Sequence, residues 1–482
     1  MQTRDRQRPD LNVFLNPKSV AVIGATERAG SWGSIIMEAL LSRPYPGRIY
    51  PINRHAHKVY GIPAHRDVRE VPGSIDLAII ITPGQSVEET IRSCGRKQVR
   101  GIAIVTAGFG EVSPEGSEDE RHLAEVGRSM GMRILGPNVS GVFNLHADFN
   151  AAGSPIHHML PSPLAAVSQG GYAFHDLIAG AWYRGMGVGQ FVHTGNECDL
   201  NVSDFLEFFG EKPEVEGILL YMETVRDAGR FIPIARRVAR TKPIVVYKGG
   251  QTANSARAAA SHTGAMSGTR EVYEGVLRQI GLVTSPTMEL LFPLGHALIE
   301  RPPLAGRRIA IVTMGGSWGV ALSDSLEAEG LHVPEFESGL QNRLRALGLP
   351  GRASTRNPVD IGASGLFHDV GLMVEIGREV LSSGEADALV LHGVGRPGRN
   401  GPGDRIEGSV SSMDGQVGIL RGYADLEKAT HLPVFIGTHY SPWESQAIFV
   451  AGQTGIRTYH RLGDIAQLLS CLYGYWHRRR AV

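Results

Sequence analysis

Three short apolar runs in this sequence each end in a glycine-rich turn that leads into a helix-forming segment. The runs begin at Ser19, Leu164 and Arg308, and the turns that follow are Gly24–Gly33, Ser168–Gly171 and Gly315–Gly319. Buried strands that alternate with amphipathic segments are the signature of βαβ units, in which the strands lie parallel. The sequence therefore predicts three related α/β units, each built on a doubly wound sheet.

The expected organisation is three domains, residues 1–150, 151–300 and 301–482, which suits a chain of 482 residues. The segment Arg301–Ala305 is proline-rich and is predicted to be a linker, and residues 148–162 are predicted to form a loop. The strands expected in the first domain are Ser19–Gly24, Arg48–Asn53, Asp76–Thr82, Gly101–Thr106 and Arg133–Leu135.

Composition excludes several classes of function. Lys plus Arg equals Asp plus Glu at 48 each, so no overall field favours nucleic acid or an anionic membrane. The three cysteines lack the spacing of metal ligands or of a disulfide framework, which predicts no metal site and a reducing compartment. No run approaches ~20 apolar residues, so we expect a cytoplasmic protein without a membrane segment.

The first glycine-rich turn is predicted to bind a nucleotide. Its backbone N–H groups and the following helix N-terminus would face a phosphate. The second strand ends in Asn53, where an acidic residue would hold the ribose of NAD, so NAD is disfavoured. Arg54, His55, His57 and Lys58 follow, and this basic cluster suits an adenosine with an extra phosphate. The residues leave NADP and coenzyme A both open.

A second predicted anion site is the turn formed by Ser168, Gln169, Gly170 and Gly171. It also joins a strand to a helix start, so backbone donors and the helix dipole would favour a phosphate. The alternative is an ordinary turn without a ligand.

His262 is the predicted reacting group. It lies in the segment Lys248–Gly268 between the small residues Ser261 and Thr263, and a neutral imidazole is nucleophilic near pH 7. A phosphohistidine is the chemistry that this setting suits, and a histidine in a surface turn is the alternative. Glu223 ends the predicted strand that begins at Gly217, and its carboxylate could accept an N–H from the imidazole and fix its tautomer.

A serine hydrolase is a competing hypothesis. Gly315–Gly319 contains Ser317 in a G-x-S-x-G pattern between a strand and a helix, and Asp360 and His439 follow in the order of a hydrolase triad. A CoA-binding protein without catalysis and an NADP oxidoreductase are two further alternatives.

The segment Lys248–Gly268 closely resembles the phosphohistidine segment of the NDP-forming acyl-CoA synthetases, the group that includes ADP-forming acetate–CoA ligase and succinyl-CoA synthetase. The other motifs that carry the resemblance are Ser19–Ala25, Thr106–Glu111, Leu135–Asn138, Val167–Gly170 and Asn357–Asp360. The resemblance implies an N-terminal Rossmann-like CoA-binding domain followed by two flavodoxin-like ligase domains. It also implies that His262 is phosphorylated and that Glu223 is its partner.

The resemblance implies coenzyme A as the ligand of the first domain. The residues expected near its phosphates and adenine are Gly24, Thr26, Arg28, Gly30, Lys58, Thr82 and Pro83. The family usually has a lysine at the position of His55, a serine at the position of Gly170 and a smaller residue at the position of His193, so these positions depart from its pattern.

The reaction implied is acid + CoA + ATP ⇌ acyl-CoA + ADP + phosphate, by way of an acyl phosphate and the phosphohistidine. The sequence contains neither a glycine-rich phosphate loop of the Walker type nor a recognisable ATP-grasp module. ATP or ADP and magnesium are therefore expected on a separate ATP-grasp beta subunit, and the simplest assembly is an alpha2beta2 heterotetramer. The remaining substrate would be a small carboxylic acid or its acyl-CoA.

Overall fold

The computed structural model describes residues 10–153, 156, 159–250, 254, 270–349, 351–361, 369–396 and 413–480. The reacting histidine predicted at position 262 lies outside these residues, as do Ser261 and Thr263.

Helices and parallel strands alternate along the described chain. The α-helices are α1 Asn12–Leu15, α2 Trp32–Leu41, α3 Val87–Arg96, α4 Pro114–Ser129, α5 Tyr172–Tyr183, α6 Val202–Gly210, α7 Ala228–Ala239, α8 Arg270–Gln279, α9 Leu291–Glu300, α10 Gly316–Ala328, α11 Ser338–Ala346, α12 Val370–Ser382, α13 Met413–Thr430, α14 Gln446–Gln453 and α15 Leu462–Arg480. The strands are β1 Ser19–Ile23, β2 Arg48–Ile52, β3 Lys58–Val59, β4 Ile62–Pro63, β5 Leu77–Ile80, β6 Gly101–Ile104, β7 Arg133–Leu135, β8 Gly141–Asn144, β9 Phe149–Ala152, β10 Leu164–Ser168, β11 Gln190–His193, β12 Gly217–Met222, β13 Ile244–Lys248, β14 Val283–Thr284, β15 Ile309–Thr313, β16 Val359–Asp360, β17 Ala388–His392, β18 Val434–Gly437 and β19 Thr458–Tyr459.

Among the described residues the strands form three larger sheets with one shared order. The sheets run β2-β1-β5-β6-β7, β11-β10-β12-β13-β14 and β16-β15-β17-β18-β19, and within each of these runs the strands are parallel. Numbered along the chain, each order is 2-1-3-4-5, the doubly wound arrangement of flavodoxin-like folds. The predicted α/β class is confirmed. In such sheets the strand order reverses between the first and third strands, and ligands bind at the carboxyl ends there.

The second sheet carries two further strands at its edge. Strand β8 pairs antiparallel with β11, and β9 pairs antiparallel with β8. The prediction of a loop from residue 148 onward is therefore wrong for Phe149–Ala152. This segment alternates little and contains Asn150 and two alanines, residues with weak strand propensity, but all four of its residues are buried and it pairs with β8.

Continuous apolar strands place the core between the sheets and their helices. All five residues of β1 and all five of β15 are buried, and burial of one such aliphatic side chain contributes about 1.5–3 kcal/mol. The chain divides into two compact units, residues 1–179 with 187–284 and residues 180–186 with 285–482. The first unit contains the first two sheets and the second unit contains the third. The three-domain boundaries at 150 and 300 stay a prediction, and the hairpin β8–β9 belongs to the second sheet.

None of the helices in the described ranges combines the length and the apolar character needed to cross a bilayer. In the same part of the chain, no group of three or more His, Cys, Asp or Glu is placed to hold a metal ion.

Candidate functional site

The first glycine-rich turn brings the backbone close to the end of a neighbouring strand. Gly24 follows β1 with φ +102°, and a Cβ there would lie 2.6 Å from the Ile81 carbonyl oxygen. A Cβ at Gly33 would lie 2.3 Å from the Gly24 carbonyl oxygen. Ser31 caps helix α2 by accepting a hydrogen bond from the Ser34 N–H. The turn therefore ends in a capped helix N-terminus, and its backbone is compatible with close approach of a phosphate.

Asn53 braces this turn from the second strand. Its side-chain amide donates to the Ala25 carbonyl at 2.8 Å, and its oxygen accepts from the His55 and Ala56 N–H groups at 2.8 and 2.9 Å. An aspartate would lose the donor and set a carboxylate against a carbonyl oxygen. The residue that argued against NAD therefore has a positive structural role.

The basic cluster continues into a small hairpin held against the turn. Arg54 and Lys58 are both exposed. Strands β3 and β4 are joined through Tyr60 and Gly61, which both have positive φ, as a two-residue type I′ connection requires. Tyr60 donates its N–H to Glu27 at 2.5 Å and its hydroxyl to Glu38 at 2.6 Å. The hairpin that carries Lys58 is thus tied to the turn that carries Thr26 and Arg28.

Thr82 and Pro83 follow β5, at the other side of the switch point of the first sheet. The Thr82 carbonyl accepts a hydrogen bond from the Thr106 hydroxyl at 2.7 Å. The Thr82 hydroxyl oxygen is buried and has no hydrogen-bond partner among the described residues. Pro83 is exposed. Gly24, Gly30 and Thr82 therefore follow the two strands at which the chain order reverses.

The second turn is joined to the end of strand β12 by one side chain. The Gln169 amide oxygen accepts from the N–H groups of Glu223 and Thr224 at 2.7 and 3.0 Å, and its nitrogen donates to the Thr224 carbonyl at 3.0 Å. Within the turn the Ser168 hydroxyl donates to the Gly170 carbonyl at 2.7 Å. The structure thus brings together the predicted anion site and Glu223, while the Ser168 hydroxyl proton is engaged inside the turn.

Glu223 has one neighbour on β12, the strand it follows, and another on the adjacent strand β13. The Tyr221 hydroxyl donates to its Oε1 at 3.0 Å. Lys248, at the end of β13, is only 2% exposed, and its ammonium lies 4.5 Å from the centre of the Tyr273 ring. Burial lowers the pKa of Lys248, and the charge of Glu223 acts in the opposite direction. Strand register sets Met222 opposite Lys248, so Gly249 lies beside Glu223, and a Cβ on Gly249 would lie 3.5 Å from the Glu223 Cγ.

His193 is a buried part of the same strand edge. Its Nδ1 accepts from the Ser140 N–H at 2.7 Å, so Nε2 carries the proton and faces the Gln169 carbonyl at 3.2 Å. Burial lowers the pKa of His193 to about 4, and the ring is neutral at pH 7. The larger residue at this position therefore acts as a packed link between strand ends.

A buried amide connects two sequence motifs that showed no functional signal individually. The Asn196 side-chain nitrogen donates to Glu120 at 2.6 Å and also to Glu111, and its oxygen accepts from Asn138 at 3.2 Å. Desolvation raises the pKa of the Glu120 carboxyl. Glu111 and Asn138 belong to the Thr106–Glu111 and Leu135–Asn138 motifs, Glu120 lies on α4, and Asn196 lies in the loop after β11. In the sequence, only the Gly and Asn residues that these segments share could have suggested the hydrogen bonds of Asn196.

The hydrolase motif of the third sheet lies at the N-terminus of α10. Trp318 follows Ser317, and its ring centre lies 4.7 Å from that of His439 and 4.9 Å from that of His392. His392 is buried, and desolvation lowers its pKa to about 4. His439 of the predicted triad therefore packs on Trp318, while Ser317 is exposed.

Comparison with known proteins agrees with this architecture. The family models for a CoA binding domain and for a succinyl-CoA ligase like flavodoxin domain match residues 18–144 and 161–298. The alpha subunit of acetate–CoA ligase (ADP-forming) II from Pyrococcus furiosus is 36% identical over 360 residues, which cover 74% of this chain and 78% of that one. The alpha subunit of ligase I from the same organism is 38% identical over 73% of this chain and 76% of its own.

A solved structure extends the similarity to nearly the whole chain. The dinucleotide forming acetyl-coenzyme A synthetase 1 of Ca. Korarchaeum cryptofilum, in complex with phosphate and ADP, matches with a TM-score of 0.83, 31% identity and 98% of both chains covered. A CoA-binding domain followed by a flavodoxin domain of the succinyl-CoA ligase type defines the class of protein to which this chain belongs. Within that class the chain belongs to the ADP-forming acetate–CoA ligase family.

Proposed function

We propose that this chain is the alpha subunit of an ADP-forming carboxylic acid–CoA ligase and that it transfers a phosphoryl group through His262. One observation carries the assignment of the site. At the carboxyl edge of the second sheet, Gln169 joins the Ser168–Gly171 turn to Glu223, and Lys248, the last residue of β13, pairs with Met222, the residue before Glu223; His262 follows β13 in the sequence. The proposed anion site and carboxylate thus lie on neighbouring strand ends, and the chain that leads to the proposed nucleophile follows the strand beside them.

Glu223 orients the nucleophile in this proposal. Its carboxylate accepts the N–H of one imidazole nitrogen of His262, so that the other nitrogen keeps its lone pair for phosphorus. Backbone N–H groups of Gly170 and Gly171 and the N-terminus of α5 stabilise the charge on the transferring group.

The bonds balance over three transfers. In the direction of CoA-ester formation, the His262 nitrogen attacks the γ-phosphorus of ATP and ADP leaves. The acid carboxylate then takes the phosphoryl group, the N–P bond breaks, and an acyl phosphate results. The CoA thiolate attacks the acyl carbon, and phosphate leaves.

Coenzyme A is assigned to the first sheet. The turn at its switch point contains Gly24, Thr26, Arg28 and Gly30. The hydrogen bonds of Tyr60 to Glu27 and Glu38 hold the hairpin that carries Lys58 beside that turn. Arg54 and Lys58 supply positive charge for the phosphate that distinguishes coenzyme A from its dephospho form, and Thr82 and Pro83 lie on the adenine side.

The partner proposed is an ATP-grasp beta subunit that binds ATP and magnesium, in an alpha2beta2 assembly. Two relatives named as alpha subunits support a second chain. The serine hydrolase and NADP oxidoreductase hypotheses receive no support from any of the relatives described above.

The test is phosphorylation of the full chain by γ-labelled ATP with magnesium and the ATP-grasp subunit. We expect an acid-labile label in the parent and none in His262→Ala. His332→Ala, which removes an exposed imidazole in the second unit, is the matched control and should label like the parent. Labelling of His262→Ala at the parent level would refute the assignment.

A further inference from the structure

Tyr221 lies where three strand ends of the second sheet meet. Its ring stacks on that of Tyr247 from the next strand, with centres 5.9 Å apart and planes at 24°. A Cβ on Gly170 would lie 2.6 Å from the Tyr221 ring, and a Cβ on Gly249 would lie 3.2 Å from its hydroxyl oxygen. Neither glycine has a positive φ, so at Gly170 the close approach of the Tyr221 ring, rather than backbone conformation, opposes a side chain, and at Gly249 the approach is tight.

The packed ring gives the hydroxyl a fixed direction. That hydroxyl donates to Glu223 Oε1 at 3.0 Å, while the backbone N–H of Glu223 is held by Gln169 at 2.7 Å. One contact therefore fixes the main chain of Glu223, and another fixes its carboxylate. Burial and the adjacent negative charge raise the pKa of Tyr221 above its usual range, so its proton is retained at neutral pH.

We infer that Tyr221 is a positioning residue for phosphoryl transfer, which holds one oxygen of the Glu223 carboxylate and leaves the other for the role proposed for Glu223. This inference rests on the proposed function of Glu223. It also explains why this chain has glycine at 170, where the family usually has serine. A serine Cβ at position 170 would occupy the space of the Tyr221 ring.

A purely structural role for Tyr221 makes a different prediction. If the ring only fills space, Tyr221→Phe keeps the packing and changes nothing in catalysis. If the hydroxyl positions Glu223, the same change releases the carboxylate while the sheet stays intact. Phenylalanine is therefore the informative replacement, and Tyr247→Phe, which removes one hydroxyl from the ring stacked on Tyr221, is its matched control.

The experiment measures the rate of acid-labile labelling from γ-labelled ATP, with the ATP-grasp subunit, for the parent, Tyr221→Phe, Glu223→Gln and the double variant. We expect Tyr221→Phe to label about tenfold more slowly, the scale of one lost hydrogen bond to a charged group. The CoA affinity and melting temperature should be those of the parent, and Tyr247→Phe should label at the parent rate. Because Tyr221 acts through Glu223, the double variant should be no slower than Glu223→Gln alone.

Two results would overturn the inference alone: a parent-like rate for Tyr221→Phe beside a slow Glu223→Gln, or multiplied effects in the double variant. A parent-like rate for Glu223→Gln would instead overturn the role proposed for Glu223 and this inference with it. If Tyr221→Phe folds poorly, the comparison is made by single-turnover labelling of its folded fraction. The non-additivity with Glu223→Gln remains the deciding measurement.

Discussion

Single polar side chains hold the strand ends of the second sheet in register, chiefly by bonding to backbone groups. Gln169 makes three such bonds and His193 accepts one from Ser140. A buried backbone group that loses its partner costs about 1–3 kcal/mol. These side chains therefore fix Glu223 and the Ser168–Gly171 turn more firmly than surface contacts could.

His193 should make the stability of the first unit depend on pH. Its folded-state pKa of about 4 lies below the ordinary value of ~6.5, so the unfolded chain binds more protons in that window. The stabilisation is present above pH ~6.5 and is lost as the pH falls toward 4. Between pH 7 and 5 we expect a loss of about 2 kcal/mol from this group.

Urea unfolding at the two pH values measures this contribution as a difference between variants. In His193→Gln the loss between pH 7 and 5 should be smaller by about 2 kcal/mol than in the parent. His175, whose pKa burial lowers to about 3, keeps part of the dependence in both proteins. An unchanged dependence in His193→Gln would show that His193 titrates normally in the folded chain.

The strands predicted most accurately are those whose position is determined by the local sequence pattern alone. The predicted strand Arg133–Leu135 agrees with β7, and Ser19–Gly24 and Gly217–Glu223 exceed β1 and β12 by one residue each. These strands are continuous apolar runs closed by glycine or a charge. The hairpin β8–β9 was not predicted, because its pairing is decided by β11, which follows much later in the chain.

The turn after β1 offers a test that separates backbone strain from close approach. Gly24 and Gly108 share φ +102°, but a Cβ at Gly24 meets the Ile81 carbonyl, whereas at Gly108 no atom lies within 4 Å. Gly108→Ala should therefore cost only the conformational term, about 1 kcal/mol. Gly24→Ala should cost several kcal/mol and abolish measurable CoA binding.

Chemical unfolding and calorimetric titration of the full-length variants with CoA provide the measurements. Equal destabilisation by the two substitutions would mean that the approach to Ile81 relaxes freely. Normal CoA affinity in a folded Gly24→Ala would remove this turn from the CoA site.

At the scale of the whole molecule, the three sheets repeat one strand order and place their glycine-rich turns at the same switch point. That repetition was foreseen from the three strand–turn–helix patterns. The contacts of Asn196 and Gln169 were not, since they join residues more than 50 positions apart in sequence. Sequence periodicity specifies which face of an element is buried, whereas these contacts depend on how separate elements pack.

The purified chain alone should form no acyl-CoA from acid, CoA and ATP and should not hydrolyse ATP, because the proposed nucleotide site belongs to its partner. Addition of the ATP-grasp subunit should restore thioester formation with a panel of small carboxylic acids. Light scattering should then report two copies of each chain. Robust ATP-driven ligation by the isolated chain would place a nucleotide site within it and refute the division of labour.

The hairpin β8–β9 has a consequence for biosynthesis. When these two strands leave the ribosome, β11, the strand with which β8 pairs, has not yet emerged. The nascent chain therefore presents an unpaired sheet edge, of the kind that invites association with other chains. Translation products that stop before His193 should aggregate or recruit chaperones, whereas products that extend past β13 can bury that edge in the completed sheet.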